Sequence, residues 1–213
     1  MTARVERPQT LGEEIANSVS HGVGFLAALS ATPLLIAHAA RHGAAAVVGA
    51  AVFAVALLLQ YSMSTMYHAL ARNRAKRVFR VIEHAAIYVL IAGTYTPFTL
   101  GVLRGPWGWS LLAVIWSLAI AGVTLDSVSG LTHPIVSTSV YVAMGWFIVI
   151  AARPLWLHVP RPGLALLAAG GIAYTAGVAF YAAKRLRYGH FVWHLFVLAG
   201  TACHFFAVLR YAG

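Results

Sequence analysis

Seven long apolar stretches separated by short polar breaks set the pattern of the chain. They run approximately over residues 16–40, 44–70, 79–103, 107–126, 135–153, 162–183 and 190–210. Each is close to the roughly 20 residues that a helix needs to cross the hydrocarbon of a bilayer. The breaks carry turn formers and charge, such as RHG at 41–43, ARNRAKR at 71–77, RGP at 104–106 and RLRYG at 185–189. No break is long enough to separate domains, and no internal repeat is visible. The pattern predicts an all-α, polytopic bundle of seven transmembrane helices formed by residues 1–213 as one domain.

Composition supports that class. The chain is 61% hydrophobic and only 9% charged, with a mean hydropathy of +0.79, whereas a soluble domain carries about a quarter of its residues as charges. The formal net charge of +10 would point to nucleic acid in a soluble protein. In a membrane protein, basic residues instead mark cytoplasmic loops and meet anionic lipid head groups, so lipid is the expected partner and nucleic acid is not. Cys203 is the single cysteine, which excludes a disulfide within the chain. The first residues, MTARVERPQTLGEE, are polar and include three glutamates, unlike a cleaved signal peptide.

The distribution of Lys and Arg predicts orientation. The N-terminal side holds Arg4, Arg7, Arg72, Arg74, Lys76, Arg77, Arg80, Lys184, Arg185 and Arg187, against Arg41, Arg104, Arg153, Arg161 and Arg210 on the other. The positive-inside rule therefore puts the N-terminus in the cytosol and the C-terminus outside, in a multi-pass protein of the cell membrane.

Candidate chemistry lies where polar groups interrupt the apolar runs. Of the five acids, Glu6, Glu13, Glu14 and Asp126 fall in the tail or at helix boundaries, where water is expected to reach them. Glu83 sits about a turn inside the third span, where an ionisable group is costly and normally faces the bundle interior with a partner. An interfacial Glu that reaches water or pairs with Arg80 is the alternative. Ser64 and His68 are four residues apart at the end of the second span, and His190 and His194 are four apart at the start of the seventh. Each pair shares a helix face, and both ends fall in the same leaflet as Glu83. Three histidines from two helices suit zinc, leaving a position open for water or substrate. Glu83 then reads as the carboxylate that orients and deprotonates that water. The simpler reading of the HxxxH pair is two core histidines bonded to backbone or hydroxyl groups.

Glu14, Asn17 and His21 stack on one face of the first span. They read either as helix-start chemistry or as a polar cluster at the cavity mouth, bonded to the metal ligands or to a substrate head group. His204 lies about 21 Å along the helix from His190, so it is expected near the far side as a packed residue outside the site. His38, His42, His133 and His158 read as solvated boundary residues. Thr94-Tyr95-Thr96-Pro97 reads as a proline kink helped by the threonines. The small residues of AAGGIAYTAG at 168–177 invite close packing against another helix.

Four motifs carry a family resemblance: ExxNxxxH at 14–21, SxxxH at 64–68, IEHAAIYVLIAGTYTPF at 82–98 and HFVWHLFVLAGTACHF at 190–205. Together, in this order and across nearly the whole chain, they resemble the hemolysin III family, the bacterial branch of the progestin and adipoQ receptor group, in a superfamily with alkaline ceramidases. The resemblance implies seven spans with a cytosolic N-terminus, and zinc held by His68, His190 and His194 near the cytoplasmic side, with Ser64 as the motif serine. The family usually has Asp, linked to the metal through a water, where this chain has Glu83. The extra methylene either lets Glu83 reach the metal or shifts the water.

Three functions follow in order of expectation. The first is a zinc-dependent hydrolase of a lipid amide or ester, with Glu83 as base and Ser64 as an oxyanion donor or orienting group. The second is a non-catalytic sensor of lipid or membrane state, in which zinc staples the second and seventh helices. The third is a pore-forming cytolysin, which seven apolar spans without a secretion signal argue against.

Overall fold

The computed structural model describes residues 7–129 and 134–213. Arg4, Glu6 and His133, named above, lie outside them. Helix α1 spans Leu11–Ala39, α2 Ala44–Ala69, α3 Arg74–Leu100, α4 Pro106–Ser129, α5 Pro134–Trp146, α6 Ala152–His158, α7 Arg161–Ala182 and α8 Gly189–Tyr211. Among the described residues, seven helical segments are long and apolar enough to cross a membrane, and α5, a 3₁₀ stretch at Phe147–Ala151 and α6 together make the fifth.

The spans start where local chemistry lets them. The first begins at Leu11, five residues before the apolar run, because Thr10 and Glu13 form a capping box that satisfies free N–H groups. The third begins at Arg74, where the Asn73 side chain accepts from the Lys76 N–H. The interruption of the fifth span has a partner in α3. The Tyr95 hydroxyl lies 2.7 Å from the Met144 carbonyl and accepts from the Ile148 N–H at 2.8 Å. Backbone groups that leave the helical ladder within hydrocarbon must find such partners inside the protein.

Helix α2 runs through the centre of the bundle, with Ala50, Phe53, Ala54, Ala56 and Leu57 all buried. It packs against α1 and α3, α3 packs against α4, and α8 closes the bundle against α1 and α7. Lipid tails are as apolar as leucine, so helix association depends on close fit. At Gly93 a Cβ would strike Ala56, and at Gly170 and Gly177 it would strike His204 and Trp193. The small-residue run 168–177 is thus used against α8 of the same chain. Thr94 and Thr96 donate to the Leu90 and Ala92 carbonyls around Pro97, and α3 continues through the proline to Leu100.

Helix α1 turns its polar stripe inward. Glu13, Asn17, Ser20, His21 and Gly24 are buried, while Leu11, Ile15, Val19, Val23 and Leu26 are exposed. Their 3–4 spacing makes one face, and that face meets α2 and α8. Two acids read as solvated are not. Asp126 is 0% exposed, with Ser137 and Tyr141 at 3.3 Å from its carboxylate oxygens. Glu13 is 3% exposed, clamped by Arg7, Thr10 and the Tyr188 N–H. Each lies at the end of an apolar run, but a neighbouring segment covers it.

Candidate metal centre

His68 from the last turn of α2 and His190 and His194 from the first turns of α8 meet at the end of the bundle that carries the N-terminus. One ring nitrogen from each lies within 4.8 Å of the others, and the ring centroids are 4.7 to 5.1 Å apart. The i, i+4 spacing on α8 puts two rings on one face, and the inward face of α2 supplies the third.

The other nitrogens are held from outside the triad. His68 Nδ1 lies 2.8 Å from Glu14 Oε2. A carboxylate oxygen accepts, so Nδ1 carries the proton and donates. His194 Nδ1 donates to the Asn17 carbonyl at 3.1 Å, with the Ser20 hydroxyl at 3.0 Å. Ser20 itself donates to that same carbonyl at 2.8 Å. When the proton of such a ring is on Nδ1, Nε2 presents a bare lone pair, which is how ligating histidines are oriented. The Nε2 atoms of His68, His190 and His194 are all buried without a hydrogen-bond partner. A buried polar atom left unpaired is costly, and these three belong to histidines that each offer a ring nitrogen within 4.8 Å of the others. Three histidines can therefore hold a metal ion here.

The predicted cluster on α1 supports the triad directly. Glu14 holds His68 and also accepts from Lys76 Nζ at 2.8 Å. Asn17 contributes its carbonyl to His194 and its amide to Gln9 at 2.7 Å. His21 lies flat against His194, with centroids 3.6 Å apart and planes 4° from parallel. Its Nδ1 is 2.7 Å from the Ser64 hydroxyl, and its Nε2 is a fourth buried, unpartnered imidazole nitrogen. Ser64 shares a helix face with His68, but its hydroxyl engages His21 across the helix interface.

Glu83 is 6% exposed. Its carboxylate pairs with the next residue, His84, whose Nδ1 lies 2.8 Å from Oε2 and also donates to the Arg80 carbonyl. The partner is therefore His84 rather than the Arg80 guanidinium. Glu83 remains close enough to His68 and His190 to act on them electrostatically.

Two cavities lie near this cluster, one lined by His21 and the other by His190. Toward the middle of the bundle lies an apolar one, lined by His21 and Glu83 at one end, by residues such as Ile87, Leu90, Val178 and Val197 along its length, and by His204 at the other. His204 is thus packed, donating to the Gly200 carbonyl at 2.9 Å and lying near the Tyr174 ring, and it also faces the same cavity as Glu83. Toward the N-terminal surface lies a polar cavity that reaches His190. Arg7, on its rim, forms a two-pronged ion pair with Glu13, and that hydrogen bond raises the guanidinium pKa above its already high ordinary value.

The sequence reading passed over His84, Ser20, Gln9 and Lys76. Ser20 was within reach of the spacing rule, since it lies three residues from Asn17 on the same face. Gln9 and Lys76 are brought in by chain reversals that no periodicity encodes.

Comparison with known proteins places this geometry in context. A family profile described as "Haemolysin-III related" matches residues 9–205. The chain is 45% identical over 213 residues to Hemolysin-3 of Bacillus cereus, covering 99% of this chain and 97% of that protein. It is 44% identical over 203 residues to the Hemolysin-3 homolog of Bacillus subtilis (strain 168), covering 95% of each. A more distant likeness, 24% identity over 208 residues, joins it to the human monocyte to macrophage differentiation factor, covering 95% of this chain and 85% of that one.

Proposed function

The chain belongs to the haemolysin-III related family, and from that premise we propose that it is a zinc-dependent hydrolase of a membrane lipid amide or ester. The observation that carries the reading is adjacency. Glu83, a buried carboxylate, and His21, whose ring lies flat against His194 of the triad, line the head of an apolar cavity within the bundle, and the triad's Nε2 atoms are buried without a hydrogen-bond partner. A cavity lined by Ile, Leu and Val accepts an acyl chain, and the histidine end is where that chain's carbonyl would lie. By the positive-inside rule this end faces the cytosol.

His68, His190 and His194 would hold the ion, with Glu14, Asn17 and Ser20 fixing the rings from behind. Zinc in that position supplies Lewis acidity, acidifying water toward a pKa of about 7 and polarising a carbonyl. Glu83 takes a proton from the attacking water and returns it to the departing nitrogen or oxygen. The water oxygen bonds to the acyl carbon, the C–N or C–O bond breaks, and the products are a fatty acid and an amine or alcohol. His84, bonded to Glu83, holds that carboxylate in place. Ser64 orients His21, and when the hydroxyl donates to Nδ1 the opposite Nε2–H points to the cavity as a donor for the carbonyl oxygen as it gains charge.

The test is turnover. Purified protein incubated with a panel of ceramides and lipid esters should release fatty acid, and His194→Ala should not. Equal release from both would contradict the reading.

One observation favours a non-catalytic alternative. The ligands come from α2 and α8, which both pack on α1, so zinc would staple the bundle as a sensor of lipid or membrane state. In that case zinc removal lowers the melting temperature while no lipid on the panel is turned over.

A further inference from the structure

Helix α2 sets three polar side chains on one buried face. Gln60, Ser64 and His68 follow at steps of four, and each is at most 3% exposed. Ser64 meets His21, and His68 meets Glu14. Gln60 differs, because its Oε1 is buried with no hydrogen-bond partner. An unpaired amide oxygen inside a membrane bundle is costly, since apolar neighbours offer it nothing in place of water.

Gln60 also lines the apolar cavity shared by His21 and Glu83, a space of about 120 Å³. Other polar lining groups, Thr94, Tyr95, Tyr174 and Thr175, are bonded within the protein. A lone water beside Gln60 would need about two to four polar partners to be held, and walls of Ile, Leu and Val do not supply them. A hydroxyl on a hydrocarbon chain is held there by burial of the chain and needs only the amide. Because a hydroxyl both donates and accepts, it can pair with either end of that amide.

Depth sets where on the chain that hydroxyl sits. Gln60 is eight residues along α2 from His68, roughly 12 Å of helix. A lipid chain whose polar end lies by the histidines therefore passes Gln60 near its middle. We propose that the cavity binds a long fatty acyl chain carrying a mid-chain hydroxyl, and that Gln60 is the residue that reads it. The substrate class is then an amide or ester of a hydroxylated fatty acid, and the hydroxyl takes no part in the reaction. Placement of the carbonyl end rests on the hydrolase reading, but the hydroxyl preference is measured by binding alone.

The experiment measures equilibrium binding of oleate and ricinoleate to zinc-loaded full-length protein in neutral detergent. The two acids differ by one mid-chain hydroxyl, and neither carries an amide or ester to be cleaved, so turnover does not intervene. Ricinoleate should bind about five- to tenfold more tightly than oleate, as one added hydrogen bond allows. That ratio should fall to about one or below in Gln60→Leu, with oleate still bound and the melting temperature checking the fold. Gln60→Met, which keeps the unbranched shape, replaces the leucine variant if that one does not fold. Equal binding of the two acids to the wild type would overturn the proposal without any variant, as would a ratio that a folded variant leaves unchanged. Turnover on the ceramide and ester panel is scored separately. Hydroxyl preference without turnover removes the hydrolase reading alone, and turnover without hydroxyl preference removes this inference alone.

Discussion

Glu14 Oε2 lies 2.8 Å from His68 Nδ1, while the other nitrogen of that ring, Nε2, is buried without a hydrogen-bond partner. One hydrogen bond from α1 therefore decides which nitrogen of an α2 histidine is free for a metal. Glu14→Ala should leave the fold intact and weaken zinc affinity by about 10- to 100-fold, the usual effect of losing such an outer partner. Competition with a chromophoric chelator would measure it. Unchanged affinity would mean that His68 is oriented by something else.

Glu83→Gln separates chemistry from binding. The amide keeps the size of the side chain but cannot take a proton. Zinc content should stay stoichiometric while lipid turnover falls by about 10²- to 10⁴-fold, the range for loss of a general base. Loss of zinc together with activity would show that Glu83 holds the metal itself.

His21→Phe preserves a flat ring against His194 while removing both nitrogens. Metal affinity should change little, and turnover should fall by about 10²- to 10³-fold if Nε2–H stabilises the developing negative charge. Single-turnover kinetics on the zinc-loaded variant would test this, and full activity would reduce His21 to packing.

Gly170 and Gly171 are neighbours on α7 with opposite surroundings. A Cβ at Gly170 runs into the His204 ring, whereas one at Gly171 lies 3.7 Å from Trp146, an ordinary contact. Gly170→Val should destabilise the α7–α8 pair by about 1–3 kcal/mol and lower the melting temperature, with Gly171→Ala close to wild type. Equal melting temperatures would show that α8 is not seated on α7 as described.

Much of this arrangement was legible in the residues, for identifiable reasons. The spans follow from the length of apolar runs. His68, His190 and His194 follow from i, i+4 spacing combined with depth, because helices in a bilayer share a common frame. What escaped depends on direction around an axis or on a neighbour's side chain. Depth placed His204 far along α8 from His190, but only the packing of α7 turns it to the cavity. Ser64 was paired with His68 by spacing, while its hydroxyl meets His21 on another helix. Asp126 sits at the end of an apolar run and reads as solvated, yet Ser137 and Tyr141 of the next span enclose it. The break at Phe147–Ala151 is silent because FIVIA is equally apolar as α-helix or as 3₁₀.

The central claim is that three histidines form one metal site, and metal analysis of purified protein tests it most directly. Wild type prepared with zinc present should carry about one zinc per chain, and His68→Ala, His190→Ala and His194→Ala should each lose it, as expected when one of only three protein ligands is removed. Metal-free wild type, or stoichiometric zinc retained in any of the three variants, would contradict the account.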